Sequence, residues 1–390
     1  MCGEPSGDLL GAQLMASLKQ ASGGDVEITG IGGPAMAAQG LQSLYPLDAT
    51  AVMGLREVVP AIPAILKRVR EASDFALRTR PDAVVLIDSP DFTHRIAQRL
   101  KRIDPSIRTI NYVAPQVWAS RAYRARKMAR YFDLVLALLP FEAPFFEKYG
   151  LKSVFVGHPV IERAARMTGG AEFRIRHGIA PDAKLLAVLP GSRTSEIRFI
   201  LPVFREAVAG IAARVPGLVT VLPTVPHVAA RVRAATQGWP APLILLESDD
   251  EKYAAFDAAD AALAASGTVT TELALAGTPM VVGYRVGALT YALASLIMNV
   301  RHIALVNVLL GREAVPEFVQ SRCTPENLAG AVIRLMTDKG AALHERDDLD
   351  AAVAMLGKGG EAPSLRAARA ILEFVGAQSP SASLRSAPPP

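Results

Sequence analysis

The sequence predicts an α/β fold of two doubly wound domains, and three observations carry that prediction: a length of 390 residues, apolar runs with no polar face, and helical stretches between those runs. A chain of this length exceeds one typical core and matches two domains of roughly 100–200 residues each. Ala83–Asp88, Arg108–Val113, Leu134–Leu138, Leu185–Leu189, Leu218–Leu222, Leu243–Leu246 and Met280–Tyr284 show no period-2 polar face, which is how strands buried on both sides read. Their alternation with helices argues for parallel βαβ units with right-handed crossovers. The rhythm breaks at Gly157-His158-Pro159 and the Gly/Ala-rich Met167–Ala171, then restarts. The expected divisions are an N-terminal domain over 1–160, a C-terminal domain over 161–360, a helix over 361–377 packing near the junction, and a Ser/Pro-rich disordered tail over 378–390.

Composition narrows the function classes. Hydrophobic residues make up 51% of the chain, yet no uncharged apolar run reaches the length of a membrane span. The longest, Val286–Val300, stops at Arg301 and reads first as a buried helix, second as a helix resting on lipid. Met1 leads straight into a Gly-rich acidic turn rather than a secretory signal, so a cytoplasmic site of action is expected. Two cysteines exclude a disulfide framework and a structural zinc site of their own. The six histidines have no metal-ligand spacing, and His158 before Pro159 reads as structural. Net charge +5 suits anionic partners. Nucleic acid is the weakest of these, because no aromatic platform accompanies the charge.

Taken in chain order, the first motif is Gly3-Glu4-Pro5-Ser6-Gly7-Asp8, which reads as the loop between a β-strand and a helix beginning near Leu9, with almost no strand before it. The first strand of the N-terminal domain is therefore expected to be missing. Such a turn offers N–H groups to an anion or sugar hydroxyl, and equally reads as an ordinary capped helix. Asp88-Ser89-Pro90-Asp91 closes the strand Ala83–Ile87, where open α/β sheets place ligands, so Asp88 is a candidate general base and Asp91 a helix cap. The D-x-x-D spacing is not the D-x-D that chelates a metal with a diphosphate.

In the second half, Gly191, Ser192 and Arg193 of Leu189-Pro190-Gly191-Ser192-Arg193 link a strand to a helix, with Arg193 suited to a phosphate. Ser266, Gly267 and Thr268 repeat the arrangement, and Glu272 one helical turn later suits ribose hydroxyls or solvent. Two such turns can hold a diphosphate by helix dipoles and arginine without Mg²⁺. For lipid contact, Ile62, Ile65, Leu66 and Val69 recur at helical spacing beside Lys67, Arg68 and Arg70. Arg121, Arg124, Lys127 and Arg130 form a second basic row suited to phosphate. For both segments a core-facing stripe beside a solvated basic face is the competing reading.

Read together, GEPSGDLLG (Gly3–Gly11), AVMGLREV (Ala51–Val58), IDSPDF (Ile87–Phe92), NYVAPQVWAS (Asn111–Ser120), LALLPFE (Leu136–Glu142), FVGHP (Phe155–Pro159), LPGSR (Leu189–Arg193), ASGTVTTE (Ala265–Glu272), MVVGYR (Met280–Arg285) and NVLLGRE (Asn307–Glu313) resemble the lipid-A-disaccharide synthase family in order and spacing. The resemblance implies a GT-B fold, two Rossmann-like domains with parallel sheets facing a central cleft. It also implies inverting transfer of 2,3-diacylglucosamine from UDP-2,3-diacylglucosamine to 2,3-diacylglucosamine 1-phosphate, giving the β(1→6) disaccharide and UDP without metal or other cofactor. By motif, Asp88 matches the family's proposed base, Arg193 its diphosphate-binding arginine, and Glu272 and Asn307 positions near the nucleotide. Glu4, Ser6, Gly7 and Asp8 are the expected acceptor or sugar contacts. The implied partners are the two lipid substrates and an anionic inner-membrane surface, to which the protein would attach peripherally, with room for a homodimer. Another UDP-sugar-dependent GT-B enzyme, an epimerase or a peptidoglycan-lipid glycosyltransferase, is the alternative, along with a non-catalytic carrier. A dehydrogenase is disfavoured because no G-x-G-x-x-G closes a strand.

Overall fold

The computed structural model describes residues 1–47, 55–120, 123–248, 250–287, 291 and 301–376. The tail 378–390, most of the apolar run 286–300 and Arg121 lie outside the described residues. The chain forms two compact units, Met1–Pro159 joined by the segment from Gly359 onward, and Val160–Lys358.

In unit 1, β1 (Val84–Ile87), β2 (Thr109–Tyr112), β3 (Leu134–Ala137) and β4 (Ser153–Phe155) form a parallel sheet in that spatial order. The remaining edge of β1 is occupied by the first two residues. Ile87 N–H donates to Met1 O (2.9 Å), the Met1 amine donates to Val85 O (2.7 Å), and Cys2 N–H donates to Ile31 O (3.1 Å). Cys2 is fully buried. A two-residue pairing thus stands where the sequence led us to expect nothing, and the Gly3 turn leaves a paired position rather than a void.

Helices cover both faces of this sheet because its strands are apolar on both. On one side α1 (Pro5–Ala21) and the helix Pro363–Gly376 bring Leu14, Met15, Leu18, Ile371 and Phe374 onto Ile87, Tyr112 and Leu136. The C-terminal helix is pinned there by Ser17 Oγ donating to Ser364 Oγ (2.8 Å) and by Arg366 donating to Phe155 O (2.8 Å). The short α2 (Pro34–Ala38) packs against α1 through Met36. On the other side α3 (Leu55–Thr79) and α4 (Pro90–Ile103) bury Val69, Ala72, Ile96 and Leu100 against Val84, Leu86 and Val135. This corrects the lipid-contact reading of α3. Val69 is 4% exposed in the core and Ile65 packs against the same cluster, while Leu66 is exposed and the side chain of Ile62 lies outside the described residues. The period that suggested a lipid face is the period of a core face.

Unit 2 holds β5 (Lys184–Leu189), β6 (Leu218–Pro223), β7 (Leu243–Leu246), β8 (Ala261–Ala264), β9 (Met280–Tyr284) and β10 (Glu317–Val319) in one parallel sheet of spatial order β10-β9-β8-β5-β6-β7. The chain runs outward from β5 to β7 and then crosses to β8, so the switch point of the sheet lies between β5 and β8. The helices Leu201–Ala212 and Pro325–Thr337 close one face with Phe204, Val208, Leu328 and Val332.

The helix Lys339–Met355 packs on the start of β9 through an acid. Glu345 is 4% exposed and accepts Met280 N–H at 2.6 Å. Burial pushes its carboxyl up to about 8 from an ordinary 4.5; the Met280 N–H opposes the rise and the charge of Asp348 adds to it. A pKa higher in the folded than in the unfolded chain means that the folded state holds a proton the unfolded state has released. The stability due to neutral Glu345 is therefore full below 4.5 and lost as pH rises through about 8. Glu345→Gln stays neutral and keeps an acceptor for Met280. Thermal melts followed by circular dichroism should match the parent's near pH 4.5 and exceed it by several degrees at pH 8; a gap that does not widen with pH would refute the buried-acid account.

Candidate active site

In unit 1 the candidate residues gather where the turns after Cys2 and β1 lie side by side. Asp88 is half-buried, with its backbone N–H on Tyr112 O (3.0 Å). Ser6 Oγ donates to Asp88 Oδ2 (3.0 Å) and Ser89 N–H donates to Oδ1 (2.8 Å), so both carboxylate oxygens are oriented. The backbone here is left-handed without glycine: φ is +53° at Asp88, +45° at Ser89 and +70° at Val113, just after the neighbouring strand β2. Such conformations are uncommon for non-glycine residues and strained for a β-branched one. Thr93 Oγ1 steadies the turn by donating to Asp88 O (2.6 Å) and Ser89 O (3.0 Å). Ser89, not Asp91, occupies the helix N-cap position.

The four residues expected to contact acceptor or sugar have different tasks. Glu4 occupies the N-cap position of α1 in an extended conformation, with no capping bond from its side chain, and partial desolvation, followed by the charge of Asp88, holds its carboxyl above the usual value. Ser6 orients Asp88. Gly7 is a close-packing position, since a Cβ there would lie 2.9 Å from Cys2 Cβ and 3.3 Å from Ile87 O. Asp8 is corrected from ligand contact to buried cap: at 4% exposure it accepts N–H groups from Gly33 (2.7 Å), Ala35 (2.8 Å) and Met36 (3.0 Å) at the start of α2.

In unit 2 a cavity of about 330 Å³ opens at the carboxyl ends of β5, β6 and β8. It is lined by Gly191–Arg193, Pro223–Val225 and Ala265–Val269, with Lys252, Glu196 and Glu272. Five of the expected nucleotide contacts, Gly191, Ser192, Arg193, Gly267 and Thr268, therefore meet at the switch point, where open α/β sheets bind ligands. Ser266 also lines the cavity, though its hydroxyl donates to Ile303 O (2.8 Å). Glu196 fills the first turn from within: Oε2 accepts Ser192 N–H (2.9 Å) and Arg193 N–H (3.0 Å), and Oε1 accepts from Arg193 Nη1 (3.0 Å). The Arg193 side chain is otherwise solvent-facing, at 75% exposure. Gly191 holds φ +111°, and a Cβ there would lie 2.7 Å from Glu196 Cβ and closer still to its carboxylate.

Two acids expected near the nucleotide are engaged by the protein itself. Glu272 lines the cavity but is 3% exposed and carries ion pairs to Arg163 and Lys252 (3.1 Å) and a hydrogen bond from Tyr253 OH (3.2 Å). The open carboxylate pictured for ribose hydroxyls is a neutralised, buried one. Asn307 is wholly buried, away from the cavity lining. Its amide donates to Val315 O (2.7 Å) and Glu317 Oε1, and its carbonyl accepts Ala314 N–H (2.8 Å) and Val315 N–H (2.8 Å). Those bonds saturate the side chain and make it a loop clamp. Sequence reasoning passed over Pro223–Val225 and Lys252; the carboxyl end of the strand Leu218–Leu222 was the signal for the former.

Solved structures share this architecture. A putative UDP-N-acetylglucosamine 2-epimerase from Listeria monocytogenes aligns with TM-score 0.66 and 13% identity over 97% of this chain and 96% of that one. MurG of Acinetobacter baumannii aligns with TM-score 0.57 and 17% identity over 97% and 98%. Two parallel-sheet units matched end to end in this way define a GT-B protein. The family model for lipid-A-disaccharide synthetase matches residues 1–366. The lipid-A-disaccharide synthase of Rhodospirillum centenum is 50% identical over 96% of this chain and 94% of its own length, and that of Paramagnetospirillum magneticum 48% over 96% of each. The chain belongs to the lipid-A-disaccharide synthase family, glycosyltransferases that join two diacylglucosamine units.

The turn Gly191–Arg193 gives a direct test of the cavity's construction. Gly191→Ala forces a Cβ into left-handed backbone and into Glu196, which should lower stability by about 1–3 kcal/mol. Chemical denaturation of the variant should show that loss, and a parent-like midpoint would mean that the turn relaxes freely.

Proposed function

We propose that the unit-2 cavity holds the UDP portion of UDP-2,3-diacylglucosamine and that Asp88 is the general base that activates 2,3-diacylglucosamine 1-phosphate. The observation that carries the assignment of the base is the carboxylate of Asp88, oriented at both oxygens on a left-handed turn at the carboxyl end of β1. The acceptor 6-hydroxyl oxygen attacks the anomeric carbon of the donor as the bond from that carbon to the UDP oxygen breaks. Its proton passes to a remaining lone pair of Asp88, and a single displacement inverts the anomeric centre.

Charge building on the departing diphosphate needs donors that are already in place. The first N–H groups of the helix Thr268–Ala276 supply them, helped by the macrodipole, and the exposed Arg193 guanidinium can form charge-assisted bonds. The first turn contributes less of its backbone than the sequence suggested, because Glu196 already accepts from Ser192 and Arg193. Both lipid substrates call for work at a membrane surface, and we place it at the cytoplasmic face of the inner membrane. The exposed Lys67, Arg70, Arg124, Lys127 and Arg130 suit anionic headgroups.

Asp88→Asn should lower kcat by about 10²–10⁴-fold, the usual worth of a general base, while calorimetric UDP affinity stays at the parent's value. Turnover within a few-fold of the parent would remove Asp88 from the chemistry. Arg193→Ala should weaken UDP binding by roughly tenfold or more, as expected for loss of hydrogen bonds to a charged group. An unchanged dissociation constant would leave Arg193 a surface residue paired only with Glu196.

A further inference from the structure

Among the described residues of unit 2, one side-chain nitrogen or oxygen is buried without a hydrogen-bond partner, and it belongs to the cavity: Thr224 Oγ1. Thr224 is 8% exposed and follows directly on β6. Its backbone N–H donates to Leu246 O at 2.7 Å, extending the β6–β7 ladder by one rung, so the residue is held in place on that rung. Native proteins pair nearly all such groups, so a buried hydroxyl in a cavity wall with no protein partner points to a ligand as its partner. Thr224 also sits between Pro223 and Val225, the cavity wall to which no role was assigned from sequence.

We propose that the Thr224 hydroxyl is a third point of attachment for the nucleoside diphosphate, beside Arg193 and the Ser266–Thr268 turn. The bound ligand completes its hydrogen bonding. A hydroxyl can donate to a phosphate, ribose or base oxygen and accept from a ribose hydroxyl or a base N–H, so it matches a nucleotide in any of its parts. This inference rests on the cavity being the UDP site.

Thr224→Val keeps the branched shape and removes the hydroxyl; Thr224→Ser keeps the hydroxyl. UDP titration by calorimetry, with melts in the presence and absence of UDP, separates the readings. The expected result is UDP affinity about tenfold weaker in the Val variant and parent-like in the Ser variant, with a ligand-free Tm of the Val variant equal to or above the parent's, since an unpaired polar group has been removed. Parent-like UDP affinity in Thr224→Val overturns the proposal. So does a lowered ligand-free Tm in Thr224→Val that Thr224→Ser restores, which would mean that the hydroxyl serves the fold through a trapped water. If the parent itself binds no UDP, the cavity reading fails first and this inference with it.

Discussion

Parallel strand pairing is the constraint from which the rest of this structure follows, because it sends every strand-to-helix turn in a unit to the same edge of its sheet. In unit 2 the pairing of β5 with β8, Leu186 opposite Ala261 through Leu189 opposite Ala264, brings the turns at Gly191–Ser192 and Ser266–Gly267 side by side beyond the sheet. A helix follows each turn, and residues of both turns line the one cavity. Unit 1 uses the same device with far less strand. The parallel bridge between Cys2 and Ile87 aligns the turn carrying Ser6 with the turn carrying Asp88, and the 3.0 Å bond between those two side chains is the result. Neither site depends on a long loop finding its own conformation.

The electrostatics of the unit-2 cavity look at first ill-suited to a diphosphate. Its lining carries Arg193 and Lys252 against Glu196 and Glu272, so the formal charges cancel. What matters is how each acid is used. Glu272 sits under Lys252, Arg163 and Tyr253, and with two cations against one carboxylate that corner is net positive. Glu196 is tied to the backbone of its own turn and shapes that turn as much as it charges it. On the proposed reading, the anion would be met by the Arg193 side chain and by the N–H groups beyond Gly267, directional partners whose attraction does not require a basic pocket.

Much of this was readable from the sequence, for identifiable reasons. Strands such as Leu185–Leu189 and Met280–Tyr284 announced themselves because a parallel strand covered on both faces is mostly apolar along its whole length. Ser153–Phe155 and Glu317–Val319 did not, being three residues each, and Ala261–Ala264 has too little β-propensity to be noticed except through the Ser-Gly-Thr turn after it. The turns were legible for the same reason as the strands they end. Which side chain faces a ligand was not, since direction depends on contacts made at a distance in sequence. Asp8 is claimed by α2, twenty-five residues on, and Asn307 by the loop at Val315. Val69 illustrates the same gap: helical periodicity marks an apolar face without saying what covers it.

Backbone strain distinguishes the two sites, and the difference bears on their chemistry. The cavity turn after β5 places its unusual conformation on glycine, Gly191 with φ +111°. The turn after β1 places it on Asp88 and Ser89, and the neighbouring strand end places it on Val113. Each such residue costs of order 1–3 kcal/mol, a large share of the ~5–15 kcal/mol by which a domain is stable. Glycine at these positions would relieve the strain and leave the sheet intact. A binding turn that works through its N–H groups can accept glycine at no loss of function, because every residue carries the same backbone donor. A turn that works through a carboxylate cannot, and strain retained at Asp88 is what a site dependent on that side chain would be expected to keep.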